Sequence, residues 1–168
     1  NLTAKYKDVT GDADVAKLRL DGTTAGAEFI AADIEAVKVL VESDSDITLN
    51  NAANDFTTVE VLQGSGDLEL NTLSTNTTTL TVGAAYSGDL TVKTANTINT
   101  KVTTGSGDDT VVANGNADLD ISTGAGDDRI DMVGTLTKDD KIDGGAGNDT
   151  VVLTGSATTL TKDTGAVI

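Results

Sequence analysis

A chain of 168 residues is long enough to bury one domain's core, but this one carries a formal charge of −16, a pI near 4.1, and no Cys, His or Pro. Without Cys there are no disulfides or thiolate sites, and without His there is no imidazole base or usual zinc ligand, so His-based triads and H-E-x-x-H sites are excluded. Arg19 and Arg129 are the only guanidinium groups, too few to neutralise a phosphate backbone; nucleic acid is not an expected partner, whereas cations that offset the carboxylates are.

No apolar run approaches the roughly 20 residues of a membrane span, so no membrane insertion is expected. Asn1 opens no signal peptide, and the chain reads as a piece excised from a longer one. In AEFIAADIEAVKVLV, residues 27–41, Phe29, Ile30, Ile34, Val37 and Val41 fall near helical spacing. That spacing predicts a short helix or cap near residues 27–36, leading into a strand at Val37-Lys38-Val39. Beyond it, apolar residues alternate strictly at Leu68 and Leu70, Leu80 and Val82, Leu90 and Val92, and Leu119 and Ile121. The alternation predicts strands and argues against disorder in an acidic, aromatic-poor chain. Abundant Thr and Val suit strands, and eighteen glycines suit turns that need positive φ.

The strands recur. One series, Leu49, Leu70, Val92, Val111, Ile130 and Val151, advances by 21, 22, 19, 19 and 21 residues. A second, Val39, Val61, Val82, Val102, Ile121 and Ile142, advances by 22, 21, 20, 19 and 21. Two strand series in each period of about 20 residues predict an all-β chain wound as a parallel β-solenoid (β-helix or β-roll) of six or seven rungs, one domain over residues 1–168. Such a coil stacks Val, Leu and Ile in columns about 4.8 Å apart and is expected to leave no place in the repeat for aromatics, of which the chain has only Tyr6, Phe29, Phe56 and Tyr86. An antiparallel sandwich also has evenly spaced short strands, but it needs several tight turns, and Asn114-Gly115 is the only Asn-Gly pair.

Three turns repeat in register: Thr104-Gly105-Ser106-Gly107-Asp108-Asp109-Thr110-Val111-Val112, Thr123-Gly124-Ala125-Gly126-Asp127-Asp128-Arg129-Ile130-Asp131, and Gly144-Gly145-Ala146-Gly147-Asn148-Asp149-Thr150-Val151-Val152. They follow the nonapeptide G-G-x-G-x-D-x-U-x, the third fully and the first two with Thr in place of the leading glycine. On these residues, about 104–153, the chain resembles the RTX family of secreted bacterial proteins.

The residue types have their own logic. Glycines let successive carbonyl oxygens turn toward one point, and the sixth-position Asp adds a hard anionic oxygen, a combination that suits Ca²⁺ with its six to eight oxygen ligands better than Mg²⁺. The candidate ligands are the side chains of Asp109, Asp128 and Asp149 with carbonyls around Gly105, Gly107, Gly124, Gly126, Gly144, Gly145 and Gly147. Motifs one period apart should stack on one edge, so an ion is expected between turns 105–109 and 124–128 and another between 124–128 and 145–149, with a partial site at either outer loop. Asp108 and Asp127, in the variable fifth position with Asn148, read as solvated. Asp118, Asp120, Asp139, Asp140 and Asp143 read as exposed charge near the opposite turns, Asp143 being the best auxiliary ligand. The earlier turns align Ile47, Leu68 and Leu90 at the sixth position, which predicts metal-free rungs over residues 1–100 and calcium-binding rungs over 101–168.

The resemblance implies export through a one-step channel and folding outside the cell, where calcium is abundant. The composition also resembles that of bacterial surface-layer (S-layer) proteins. The expected function is a structural, non-enzymatic calcium-binding domain at the cell surface, with self-association or neighbouring domains as partners. The alternatives are an RTX adhesin or an ice- or polysaccharide-binding module, built on Thr ranks such as Thr77-Thr78-Thr79-Leu80-Thr81 and directed at cell-surface polysaccharide, and an accessory module of a carbohydrate-active β-helix enzyme.

Overall fold

The computed structural model describes residues 2–5, 14–22, 27–50, 54–95, 97–115, 117–134 and 136–154, and every regular element among them is a strand. One sheet contains, in spatial order, β1 (Leu2–Lys5), β3 (Ala27–Ala32), β5 (Ser45–Thr48), β7 (Leu68–Leu70), β9 (Leu90–Lys93), β11 (Thr110–Ala113), β13 (Arg129–Met132) and β15 (Thr150–Leu153). The other contains β2 (Val15–Asp21), β4 (Ala36–Ser43), β6 (Thr58–Gly64), β8 (Thr79–Tyr86), β10 (Thr100–Thr103), β12 (Leu119–Ser122) and β14 (Lys141–Asp143). The chain alternates between the sheets and every strand pairing is parallel, so the protein is a parallel β-solenoid with a period of about 21 residues.

Alternation decides which side chains meet. Leu68, Leu70, Leu90, Val92, Val111 and Ile130 point inward from one sheet, Val37, Val39, Val59, Leu80, Val102 and Ile121 from the other, and all are buried in a single apolar seam. Each such side chain contributes roughly 1.5–3 kcal/mol when fully buried. In the last strands described, Ile142 is half-buried and Val151 and Leu153 are exposed.

Three expectations need correction. Residues 27–36 form no helix: β3 runs through Phe29, the chain turns at Asp33 with φ 60°, and β4 begins at Ala36. Asp33 and Ile34 donate their backbone N–H groups to the Asp55 carboxylate of the next rung, at 3.1 and 3.3 Å. The apparent helical spacing is two strand alternations interrupted by a turn that shifts their phase. Aromatics do enter the repeat. Phe29, Phe56 and Tyr86 are buried, and the two Phe rings pack at a centroid distance of 6.3 Å; Tyr6 lies outside the described residues. Finally, two register assignments slip by two residues: Val102 pairs with Leu80 rather than Val82, and Leu70 pairs with Ile47 rather than Leu49. Unequal rung lengths account for the slips: Ile47 to Leu70 is 23 residues and Leu80 to Val102 is 22, where the sequence series count 21 and 20.

Candidate metal centre

The turns that lead into β5, β7, β9, β11, β13 and β15 lie on one edge of the solenoid, and strand register stacks their residues in columns. Ser45 pairs with Leu68 and Leu68 with Leu90, while Thr91, Thr110, Arg129 and Thr150 stack one residue further on. The sixth motif position is therefore the column Ser45, Leu68, Leu90, Asp109, Asp128, Asp149. Ser45, not Ile47, occupies it in the first of these rungs. The side chains of this column point inward, so Asp109 and Asp128 take core positions that leucines hold earlier and are only 1% and 2% exposed.

Burying carboxylates is costly unless hydrogen bonds compensate. Asp109 Oδ1 accepts from Leu90 N at 2.8 Å and Oδ2 from Gly105 N at 3.2 Å. Asp128 Oδ1 accepts from Asp109 N at 2.8 Å, and Asp149 Oδ1 from Asp128 N at 3.2 Å. Asp128 Oδ2 is buried without a hydrogen-bond partner. The Thr123 hydroxyl lies beside the Asp128 carboxylate and holds its pKa down, but its one hydrogen is directed to the Gly144 carbonyl at 3.0 Å. Burial raises the pKa of both buried carboxyls; hydrogen bonds oppose the rise, and repulsion from Asp128 at Asp109, and from Asp149 and Asp108 at Asp128, adds to it. Asp149, in the last turn described, is exposed.

The glycines shape the same edge. Gly107 O lies 2.2 Å from where a Cβ on Gly126 would stand, and Gly126 O lies 1.9 Å from the corresponding point on Gly147. These oxygens face the next turn, and φ values of +134° and +138° at Gly126 and Gly147 keep the turns that close. Gly105 O and Gly124 O accept from Ala125 N and Ala146 N at 3.1 and 2.8 Å, tying the turns together. Thr104 and Thr123, the departures from the leading glycine, are buried and donate their hydroxyls to the next rung's carbonyls, Thr123 O at 2.6 Å and Gly144 O at 3.0 Å. Gly144 has no side chain to continue that series, and Asp149 packs against it.

Sequence reasoning missed a second column. Asp44, Asp67, Asp89, Asp108, Asp127 and Asn148 stack outside the first, exposed, and each Asp Oδ1 accepts the next residue's backbone N–H at 2.8–3.0 Å. Asp108 and Asp127 are thus solvent-facing but not merely solvated. An Asp directly ahead of the sixth position in five successive rungs was the signal, visible once the register is right. For Asp89→Ala we expect a loss of about 0.5–1.5 kcal/mol, the worth of one hydrogen bond. Asp89→Asn keeps the acceptor and relieves repulsion along the column, so it should be neutral or stabilising. Urea midpoints that fall equally for both variants would show that the Oδ1 bond contributes nothing.

The acidic residues of the opposite turns do different work. Asp140 accepts from Leu119 N and Thr137 N at 2.8 and 2.7 Å, and Asp118 N donates to Asn99 Oδ1 at 3.1 Å. Asp143 accepts from Gly145 N at 3.1 Å, bracing the last glycine turn from outside. Among the described residues no three carboxylates converge on one point. What the edge offers is one inward carboxylate per rung with glycine carbonyls above and below.

Fold and site together define a parallel β-solenoid whose C-terminal turns carry an aspartate column, buried at Asp109 and Asp128. No protein-family model matches the chain, and no curated protein or solved structure matches it significantly.

Proposed function

We propose that this is a structural calcium-binding domain of RTX type, in which Ca²⁺ seated between the C-terminal turns stabilises the solenoid. The observation that carries the reading is Asp128 Oδ2, a buried carboxylate oxygen without a donor, in column with Asp109 and Asp149. A cation would supply the missing partner and relieve the repulsion along the column. The donor set fits: each gap between turns combines inward carboxylate oxygens with glycine carbonyls, hard ligands of the kind Ca²⁺ takes. Asp109 and Asp128 with the Gly105 and Gly107 turn would hold one ion, and Asp128 and Asp149 with the Gly124, Gly126 and Gly144–Gly147 turns a second. When bound, calcium supplies charge neutralisation and cross-linking of rungs, not chemistry on a substrate.

The RTX resemblance and the Thr- and Asp-rich composition support placing the domain outside the cell, in a bacterial surface-layer protein, where calcium-rigidified rods assemble with one another. Calorimetric titration of the calcium-depleted protein should return two ions, and Asp128→Asn, which belongs to both sites, should weaken both. A flat titration would end the calcium reading. Electron microscopy of the parent protein with and without calcium tests the lattice: calcium-independent sheets, or none in either condition, would count against the surface-layer assignment.

A further inference from the structure

The rung that ends in β9 and the rung that ends in β11 carry almost the same turn. Tyr86-Ser87-Gly88-Asp89-Leu90-Thr91-Val92 and Gly105-Ser106-Gly107-Asp108-Asp109-Thr110-Val111 differ only at Tyr86 against Gly105 and Leu90 against Asp109. The two turns are stacked directly: Gly88 O lies 2.3 Å from where a Cβ on Gly107 would stand, and Leu90 N donates to Asp109 at 2.8 Å. An aspartate column that runs through Asp109 therefore stops one rung short, although the other five of these seven residues are retained.

Tyr86 stands where the column stops. Its column reads Val41, Gly64, Tyr86 by strand pairing, and Gly105 follows in the stack. Where Gly105 has only hydrogen, Tyr86 has a phenol that is 1% exposed and folds back inside the turn. Its hydroxyl lies 2.9 Å from the Gly66 carbonyl and 3.2 Å from the Asp89 carbonyl, bridging two successive turns. The hydroxyl also lies within 2.9 Å of where a Cβ on Gly88 would stand, so it fills the space beside the glycine column. Burial and the surrounding charges of Asp109, Asp67 and Asp89 raise the phenol's pKa, keeping it protonated and a donor. Carboxylates gathered around a turn interior favour a cation there. In this rung a neutral hydroxyl takes the place, and Leu90 removes the inward carboxylate.

We propose that Tyr86 and Leu90 close the calcium column: the phenol hydroxyl stands in for the next ion by bridging the turn carbonyls of two rungs, so that the metal series ends at the Asp109 turn. The inference rests on the calcium reading above. It assigns the boundary between the two kinds of rung to two side chains rather than to a gradual loss of the motif. The hydroxyl holds the turns together without metal, so rungs up to β9 stay closed when calcium is scarce and offer a templating edge for the rungs that need it.

The test is the ion count. The paired substitution Tyr86→Gly with Leu90→Asp gives this turn the same seven residues as the one above it, and calorimetric titration should then count three calcium ions where the parent counts two. The converse pair, Gly105→Tyr with Asp109→Leu, should reduce the count to one, and it guards against the first pair failing to fold, as judged by circular dichroism. Tyr86→Phe should leave the count at two yet lower the calcium-free melting temperature, because ring and volume persist while the bridge is lost. If the parent binds two ions and whichever exchange pair folds leaves the count unchanged, this inference is overturned while the calcium reading stands. If the parent binds none, both fall.

Discussion

Calcium withdrawal is expected to unfold residues 104–154 ahead of the rest of the solenoid. At about 100 times its dissociation constant a bound ion contributes about 2.7 kcal/mol, so two ions contribute on the order of 5 kcal/mol. For a chain of this size each kcal/mol moves the melting temperature by roughly 2–4 °C, so chelation should lower it by about 10–20 °C. The loss should be local. Rungs up to β9 are held by Leu68, Leu70, Leu90 and the Tyr86 bridge, whereas Asp109 and Asp128 leave buried carboxylates where leucines would have packed. Hydrogen exchange should show protection lost from β11, β13 and β15 and retained in β4, β6 and β8. If chelator leaves the melt and the protection of residues 104–154 unchanged, calcium does not hold this fold.

The same carboxylates set the pH dependence. Burial raises the pKa of Asp109 and Asp128 above the unfolded value near 4. A group raised in this way contributes stability that is present below its unfolded pKa and is lost as pH rises through its folded pKa. With respect to these two groups, the calcium-free protein should therefore gain stability as pH falls from 7 toward 4, while calcium affinity weakens because protons compete for the same oxygens. Asp128→Asn separates the two effects. It removes the uncompensated buried charge, so the calcium-free protein should melt higher by a few degrees, while the calcium-induced rise should shrink sharply. A variant that melts lower without calcium and keeps the full calcium shift would contradict the geometry.

Gly126→Ala is expected to be strongly destabilising although it adds a single methyl group. Its Cβ would stand 2.2 Å from Gly107 O and 2.8 Å from Gly107 C, both backbone atoms of the rung below. With φ at +134°, a side chain also costs roughly 1–3 kcal/mol in backbone strain. The clash cannot be relieved by a rotamer change, so the turn must lift off its neighbour, breaking the Ala125 N to Gly105 O bond of 3.1 Å and pushing into the seat of Gly147 above it. A loss of several kcal/mol, or about 10 °C or more in melting temperature, should result in the presence of calcium. Ala125→Ser, at the exposed position between the two glycines, is the control and should change the melt by no more than about a degree or two. Melting of Gly126→Ala within that same margin would mean that the turns are not stacked as closely as described.

Much of this architecture is legible in the order of residues. Alternation of Leu68 with Leu70 or Val111 with Ala113 is a two-residue pattern, and the run from Gly124 to Ile130 is a seven-residue one, so both survive without knowledge of what lies above or below. They suffice for strands, for a period near 20 and for the solenoid. They also pick out Asp109, Asp128 and Asp149 as a recurring set. The helix expected near residues 27–36 failed on the same grounds: spacing across a turn was read as spacing within one element, and the carboxylate of Asp55 that holds the turn at Asp33 comes from another rung.

What tertiary structure alone decided is which residue stands over which. Successive turns of the outer aspartate column are separated by 23, 22, 19, 19 and 21 residues, so a register counted forward from one rung drifts by the next. Backbone pairing resets it at every strand. That resetting puts Ser45 rather than Ile47 in the aspartate column, joins Asp44 to Asn148 in one ladder, and brings the Tyr86 hydroxyl to a glycine carbonyl 20 residues earlier. The amino-acid sequence by itself determined the kind of coil and the aspartates that recur along it. The burial of Asp109 and Asp128, the lone Oδ2 of Asp128 and the phenol at the end of the column depend on contacts between rungs, which only the parallel stacking creates.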